Sequence, residues 1–587
     1  MAIKYPPHYI TSKSLRDRFT NLQEGDKFTE DMLYYAARDV YELFPVYEGQ
    51  QPQLKKLALE EAAQDELRCI PVTADMELTG INLDERTLLL TNSFYQSRQD
   101  EIEKKATEAY NKELRKKGIR KQITVLPPED VEDHFEISSS QQKLNALQAL
   151  GYDVENVRRE SLEILDTELS RLLAEYSFCR KMTSTYGKNL LDKRSPWTRR
   201  FHPEFFQMGE GEGSGKHQKK TITTATQRYS SNAQQIPRPQ KRYGLVKDHE
   251  ELTLIETSFA EKLKQGFGTN CAAKLEPVFL GIIGGKEYYL FPADNQHPEP
   301  YVQWRVPDIR EAFRARPGYK MLTADYSQIE VCIMAALSGD PWLTAAINSG
   351  KDIHCYMASD EYRIPYDEFH TAWKNDKHPK HEEYSTLRSN TKGTTFGVPY
   401  GAGAESVARV TGLPHEAASD LITRFFAKAK ILKTWLDDQR AFALKFGYSK
   451  SLKGRRRFYR IPTRRRELDL NNSPEEKLQY WKKREEQEAQ IRRWASNQPI
   501  QSSCVDLLKP AMVKIYLALR GGSWTGELIY DAHIINTVHD EIIVEAREDQ
   551  AQDVAKLMEV CMQEAYTDII KTVNNTVDVT IADHWKK

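Results

Sequence analysis

Apolar positions recur at helical spacing in LKKLALEEAAQDELRCI (Leu54–Ile70) and in LEILDTELSRLLAEYSFCRKM (Leu162–Met182), which predicts a mostly helical region from about 51 to 190. A basic, polar stretch, Asn111 to Lys121, lies between them. Further on the pattern changes. GIIGGKEYYLFP (Gly281–Pro292) predicts a hairpin beside a helical stretch, and MLTADYSQIEVCIMAAL (Met321–Leu337) predicts a strand running into a helix. Residues 340–500 read as helical and strongly charged, and from about 500 the order is helix, hairpin, helix and a final strand. Strand segments separated by long helical insertions predict an α+β core with helical appendages. GEGEGSGK (Gly209–Lys216) predicts a linker. It departs from the phosphate-binding P-loop at Glu210, where that motif needs glycine, and at His217, where it needs serine or threonine.

The last hairpin is interrupted in an unusual way. In TVHDEIIVEA (Thr537–Ala546) the apolar run reaches Val538 and resumes at Ile542, with His539-Asp540-Glu541 between. A bland hairpin turn would use Asn-Gly or Asp-Gly. Neighbouring carboxylates repel unless a proton or cation intervenes, so the triplet reads either as an exposed turn or as a cation site. Asp325 poses a similar choice. At the end of the Met321 strand it could project into a cleft, or it could cap the helix that follows. Two aspartates on separate strands could hold two Mg²⁺ ions if a substrate triphosphate completes the coordination.

RSNTKGTTFGVPYGAG (Arg388–Gly403) adds a complementary element. Arg388, Lys392, Phe396 and Tyr400 are spaced by four, which on an α-helix makes one slowly drifting stripe. Cations suit phosphates and aromatics suit a base or sugar face. Gly393, Gly397 and Gly401 form a bare neighbouring stripe, and three glycines with Pro399 are poor choices for packing alone.

Totals refine this picture only in places. The chain has 587 residues and a formal net charge of −1, which fits several domains and leaves any basic surface local. KSLKGRRRFYRIPTRRR (Lys450–Arg466) is such a place; with Phe458 and Tyr459 interleaved it favours a nucleic-acid contact over a solvated face, so binding should weaken with salt. Seven scattered cysteines without a Cys-x-x-Cys pair argue against a disulfide framework or structural zinc and fit a reducing compartment. No apolar stretch approaches a membrane span, the N-terminus lacks a signal-peptide core, and Pro6-Pro7 disfavours an amphipathic transit helix.

Taken together, DYSQIE (Asp325–Glu330), the Arg388–Gly401 pattern and His539-Asp540-Glu541, in that order, resemble the family A DNA polymerases, the family of bacterial polymerase I and many bacteriophage replicases. Weaker matches extend the resemblance: Ala74–Leu88 to the start of the thumb, Thr226–Pro237 to a segment giving Arg228, Leu452–Pro462 to a Gly-Arg-Arg segment, and Arg493–Gln501 to an Arg-x3-Asn-x3-Gln pattern. The resemblance implies a right-hand α+β fold with an antiparallel-sheet palm, helical fingers and helical thumb. The implied division is 1–50 as a remnant of a 3′→5′ exonuclease domain, 51–190 thumb, 191–337 first part of the palm with an insertion at about 240–300, 338–497 fingers, and 498–587 second part of the palm.

It also implies templated DNA synthesis with two Mg²⁺ ions, or Mn²⁺ in their place, held by Asp325, Asp540 and the Tyr326 carbonyl, with Glu541 supporting. Arg388, Lys392, Phe396, Tyr400, Glu330, Gln328 and His539 would hold the deoxynucleoside triphosphate, with Lys392 protonating pyrophosphate. Glu330 and Tyr400 would exclude a ribose 2′-hydroxyl, and Phe396, lacking a hydroxyl, implies poor use of dideoxynucleotides. Arg228, Arg493, Asn497, Gln501, Arg455 and Arg456 would contact primer–template DNA. A monomer in a bacterial or phage-infected cytoplasm is expected, though an organelle also fits, with a processivity or replisome protein as a further candidate partner.

Three departures qualify these expectations. YYAARDV (Tyr34–Val40) matches the end of an exonuclease domain through Tyr35 and Asp39, but the preceding residues hold no Asp-x-Glu, so proofreading is not expected; nor is a 5′-nuclease. Pro399 stands where the family's helix carries a residue with an N–H and predicts a kink before Tyr400. The insertion is expected to be a peripheral decoration. Rival readings are a single-subunit RNA polymerase, a non-catalytic primer–template-binding protein on the same scaffold, and a nuclease built on the N-terminal remnant.

Overall fold

The computed structural model of the chain describes residues 27–41, 43–118, 137–206, 228–231, 242–246, 249–265, 277–293, 300–375, 378–461 and 473–586, with Phe19, Ile236 and His297 as single positions. The expected linker Gly209–Lys216, the end of the cationic run from Pro462, and the side chains of Asp39 and Phe396 lie outside the described residues. Among the described residues no helix is long and apolar enough to cross a membrane.

Alternation along four strands builds the central sheet. Tyr319–Tyr326, Ala532–Val538, Glu541–Arg547 and Val577–Ala582 pair antiparallel, with 541–547 and 577–582 flanking 319–326 and 532–538 outermost. Leu322, Ala324, Ile542 and Val544 point to one face, into a core shared with helices Ile329–Ser338, Pro474–Ala518 and Ala551–Ile569. Met321 and Ile543 point to the other, where Phe313, Trp585 and the N-terminal helices close a second core. With both faces covered, a one-residue slip would expose an entire apolar row, so the register is tightly specified. That register sets Asp325 opposite Glu541 on one side and opposite Asp578 on the other.

The N-terminal helical region forms as its spacing predicts. Helix Glu85–Lys116 starts at Asp84, whose carboxylate accepts from the Thr87 N–H at 3.0 Å, and packs on Glu168–Lys181. Helix Glu60–Thr79 behaves differently. Its buried Cys69, Val72 and Met76 join the core of the C-terminal half, against Pro474–Ala518 and strand Ala532–Val538.

Arg455 is not where the resemblance put it. Arg455 is buried; its Nε donates to Asp506 at 2.7 Å and its Nη1 to Glu66. Fully buried Lys509 also binds Glu66 at 2.6 Å, and Lys453 binds Asp65 at 2.6 Å. A buried guanidinium needs carboxylate partners; one comes from helix Glu60–Thr79 and one from helix Pro474–Ala518, so Arg455 fastens the two together rather than facing DNA. Arg456 lies over the Tyr448 ring at 4.8 Å and donates to the Leu57 carbonyl at 3.1 Å.

The insertion is more ordered than a helix and one hairpin. Strands Arg242–Leu245, Tyr301–Val306, Lys286–Phe291 and Val278–Ile283, in that order, form a second four-stranded antiparallel sheet. Helix His249–Ser258 covers one face through Ile255, with Leu280, Tyr288 and Leu290 as a small separate core. At the hairpin tip Gly285 (φ +78°) meets helix Glu85–Lys116 so closely that a Cβ would stand 2.4 Å from the Phe94 nitrogen.

The finger helix spans His381–Gly397 and stops there. Residues 398–401 form a turn, with Gly401 at φ +93°. Pro399 cannot donate the next helical hydrogen bond, so Tyr400 leaves the four-spaced stripe and is presented from the turn.

Candidate active site

Strand Tyr319–Tyr326 ends just past Asp325, and Ser327-Gln328 turns the chain into helix Ile329–Ser338. Gln328 takes the N-cap position in the left-handed region (φ +50°) with no side-chain cap, so Asp325 is not the cap of this helix. Antiparallel pairing places Asp325, Glu541 and Asp578 on the same sheet face at its open end. His539 and Asp540 form a two-residue hairpin turn, with His539 at φ +58°, a position where glycine is the usual choice. His539 is exposed, Asp540 half-buried and Glu541 buried.

Glu541 faces inward. The indole Nε1–H of Trp585 donates to its Oε2 at 3.2 Å, and the Arg310 guanidinium lies 4.2 Å over the Trp585 ring. Asp578 accepts from the Ser327 hydroxyl at 2.6 Å. Asp325, Asp540 and Glu541 all line a cavity of about 630 Å³, together with the Tyr326 segment, Gln328, Glu330, His539 and Arg228. The opposite wall carries Arg388, Lys392 and His354.

The cationic wall is held in place by its own partners. Arg388 donates from Nε and Nη2 to Asp352 at 3.2 and 2.8 Å, and its guanidinium stacks 4.2 Å over Trp373. Burial pushes the Asp352 carboxyl up, but the Arg388 hydrogen bonds and the Cys355 N–H outweigh it and hold the group below the usual carboxylate range. Burial pushes His354 down to about 4, with Asp352 opposing and Arg388 and Lys392 reinforcing, so the imidazole is neutral at neutral pH. Glu330 is clamped from two sides: the Tyr400 hydroxyl donates to Oε2 at 2.7 Å and Arg228 Nη2 donates to Oε1 at 3.3 Å. Burial, then Glu330, raises the Tyr400 phenol far above its ordinary value, so it stays a donor.

Arg493, Asn497 and Gln501 share one face of helix Pro474–Ala518, by their spacing of four. Arg493 is exposed and its side chain passes the finger turn, where a Cβ on Gly401 would sit 3.2 Å from Arg493 Cγ. Asn497 Oδ1 is buried without a hydrogen-bond partner among the described residues. Three cleft neighbours had not been singled out in the sequence. Asp578 and Arg310 gave no local signal, because each is placed by residues more than two hundred positions away. His354 had one: a lone histidine in the apolar start of helix Ile353–Glu361.

A carboxylate-bearing sheet end and a cationic helix line one cleft, in what is by architecture a right-hand polymerase fold. Comparison with known proteins narrows the class. Residues 300–587, just under half of this chain, match DNA polymerase family A. It is 28% identical over 563 residues to DNA polymerase I of Chloroflexus aurantiacus, covering 94% of this chain and 46% of that protein. It is 32% identical over 277 residues to the thermostable DNA polymerase I of Thermus thermophilus, covering 47% of this chain and 28% of that protein. The chain thus spans less than half the length of these relatives. Its fold is similar to the POL domain of Pol1 from M. smegmatis in complex with DNA primer-template and dNTP, with a TM-score of 0.61 and 22% identity over 99% of this chain and 79% of that one.

Proposed function

We propose that this protein is a DNA-templated DNA polymerase that extends a primer 3′-hydroxyl with deoxynucleoside triphosphates and releases pyrophosphate. The observation that carries this is the pairing, across one cavity, of Asp325 and Asp540 with Arg388, Lys392 and His354.

The donor set fits hard divalent cations. Acids set in register on one sheet face repel unless a cation shares them. Among the described residues no three acid, histidine or cysteine side chains form a closed cage, as suits Mg²⁺, which keeps water and substrate oxygens as ligands. Asp325, Asp540 and the Tyr326 carbonyl would hold two such ions, with Mn²⁺ as an alternative. When bound, the ions supply a lowered pKa at the primer hydroxyl and charge stabilisation at the phosphate oxygens. Glu541, bound by Trp585, stiffens the turn that presents Asp540.

The rest belongs to positioning and charge. Arg388 and Lys392 receive the triphosphate, Arg388 exchanging part of its bond to Asp352, and Lys392 gives a proton to departing pyrophosphate. Neutral His354 donates a hydrogen bond without adding charge. Gln328 and His539 border the nucleotide. The Tyr400–Glu330–Arg228 chain forms a wall against which a 2′-hydroxyl would press, which supports deoxynucleotides over ribonucleotides. Phe396 would stack on the incoming nucleotide. Arg228, Arg493, Asn497 and Gln501 would contact primer–template. In this reading 51–190 acts as thumb, 338–497 as fingers, and 191–337 with 498–587 as palm, in a monomer.

The test is primer extension on a defined template with Mg²⁺, wild type beside Asp540→Ala, with deoxynucleotides and ribonucleotides offered separately. Extension by deoxynucleotides alone, lost in the variant while primer–template binding persists, is the expected result. Extension with ribonucleotides would favour the RNA polymerase reading. No extension by folded, DNA-binding wild type would favour a binding scaffold.

A further inference from the structure

The insertion sheet has two unlike faces. Helix His249–Ser258 covers Leu280, Tyr288 and Leu290. The other face, fixed by the register pairs Phe279↔Tyr289, Tyr289↔Gln303, Phe291↔Tyr301 and Glu287↔Arg305, is a field of rings. Phe279 and Tyr289 lie 5.3 Å apart between centroids, Phe291 and Tyr301 stack at 5.3 Å with planes 10° apart, and His297 continues that stack at 4.1 Å from Tyr301. Phe279 and Ile282 are more than one-third exposed, in a position where a core-forming sheet would be covered.

Cations gather at this face. The Arg86 guanidinium lies 5.6 Å and the Lys262 ammonium 5.4 Å from the Phe279 ring centre. Arg305 is exposed beside Glu287, which it shares with Arg86. Arg305 also pairs with Glu311 at 3.2 Å, so two arginines attend two carboxylates and Lys262 leaves one positive charge in excess. Aromatic rows with cations at their rim on an open antiparallel sheet match the requirements of single-stranded nucleic acid: π-faces for unstacked bases and charge for the backbone.

Along the chain this face lies close to the cleft. Arg305 lies on the ring-bearing face, and Arg310, five residues later, lines the cavity that holds Asp325 and Asp540. Five residues span at most about 18 Å. Arg86 belongs to helix Glu85–Lys116, against which the hairpin tip is seated.

We propose that the open face of the insertion sheet binds single-stranded DNA adjoining the polymerase cleft, with Phe279 and Tyr289 stacking on its bases and Arg86, Lys262 and Arg305 meeting its phosphates. This rests on the polymerase reading for the source of the strand, not for the binding itself. The strand is either the unpaired template ahead of the primer or a strand displaced from it.

The experiment measures affinity of the full chain for three labelled DNAs at one fixed salt concentration: a blunt duplex, a primer–template with a long 5′ template overhang, and a primer–template with a short overhang beside a 5′ flap. Wild type is compared with Phe279→Ala/Tyr289→Ala and with Phe279→Tyr/Tyr289→Phe, each checked for an unchanged melting profile. The alanine pair should weaken binding of the overhang or of the flap DNA by roughly tenfold or more, since one base–ring stack is worth about that, and leave the blunt duplex unaffected. The conservative pair should restore wild-type affinity. A loss confined to the overhang names the template as occupant, and a loss confined to the flap names the displaced strand. Equal affinity of all three proteins for every DNA overturns the proposal, as does an equal loss on the blunt duplex. Because binding is read without catalysis, an enzyme that extends no primer would sink the polymerase reading while leaving this result to stand or fall alone.

Discussion

Two four-stranded antiparallel sheets in this molecule share a topology class and little else. The central sheet is covered on both faces by helices, and only its end reaches solvent, at Asp325 and the His539-Asp540 turn. The insertion sheet is covered on one face by helix His249–Ser258, and among the described residues its other face leaves Phe279 and Ile282 more than one-third exposed. Double coverage fixes register to the residue, which is what placing two carboxylates requires. Single coverage leaves a surface that adapts to whatever lies on it. The contrast separates where a reaction needs rigid placement from where a long ligand needs area.

The largest expected effect tests the rigid end. Asp325→Ala should lower primer extension by roughly a thousandfold or more, because several kcal/mol of charge stabilisation is lost; single-turnover kinetics with unchanged DNA affinity is the measurement. Next comes the doubly covered core. Ile543→Ala should cost about 2–5 kcal/mol in urea unfolding, the range for emptying a buried aliphatic site. A cost under 1 kcal/mol would mean that the central sheet is no better packed than the insertion.

Acid should act on the cationic wall in a definite direction. Unfolded His354 takes a proton near pH 6.5, whereas the buried imidazole resists until about 4. Its contribution is therefore intact above pH 6.5 and lost as pH falls toward 4, on the order of 3 kcal/mol over the whole window. Asp352, held low by Arg388, adds a further loss below its ordinary value of 3.8. His354→Gln should flatten the pH 6.5–4 part of the stability curve and leave the lower part. Removing the Tyr400 hydroxyl, by Tyr400→Phe, should reduce discrimination against ribonucleotides by about tenfold, the value of a charge-assisted hydrogen bond, as read from the ratio of incorporation efficiencies. Smallest of all, Phe279→Ala should cost about 1 kcal/mol, less than Ile543→Ala, since more than a third of its surface is already exposed.

Much of the central sheet was legible because its logic is local: apolar alternation broken by acids at Asp325 and at the His539-Asp540-Glu541 turn. The wall was partly legible, since Arg388 and Lys392 do share a helix, but Tyr400 is delivered by a turn that Pro399 imposes. Arg455 was misplaced for a different reason. Within LKGRRRFYRIP it looks like one more surface cation, and nothing nearby reveals that Glu66, 389 positions earlier, and Asp506, 51 positions later, enclose it. Arg310 was silent in the same way, because Trp585 and Glu541 come from the far end of the chain. The insertion's helix and hairpin were visible, but not that strand Tyr301–Val306 completes a sheet around them.

The buried ionic cluster around Arg455 also constrains how the chain is made. Asp65 and Glu66 of helix Glu60–Thr79 find their ionic partners in residues 453–509, so both leave the ribosome long before Lys509 exists. At about 5–20 residues per second, the interval is roughly 20 to 90 seconds. During that time Cys69, Val72 and Met76 have no core to enter, and the nascent N-terminal third must remain soluble with that stripe uncovered. That interval is an expected window in which the nascent chain is open to proteolysis or chaperone binding at this stripe, and it closes once the C-terminal half is made.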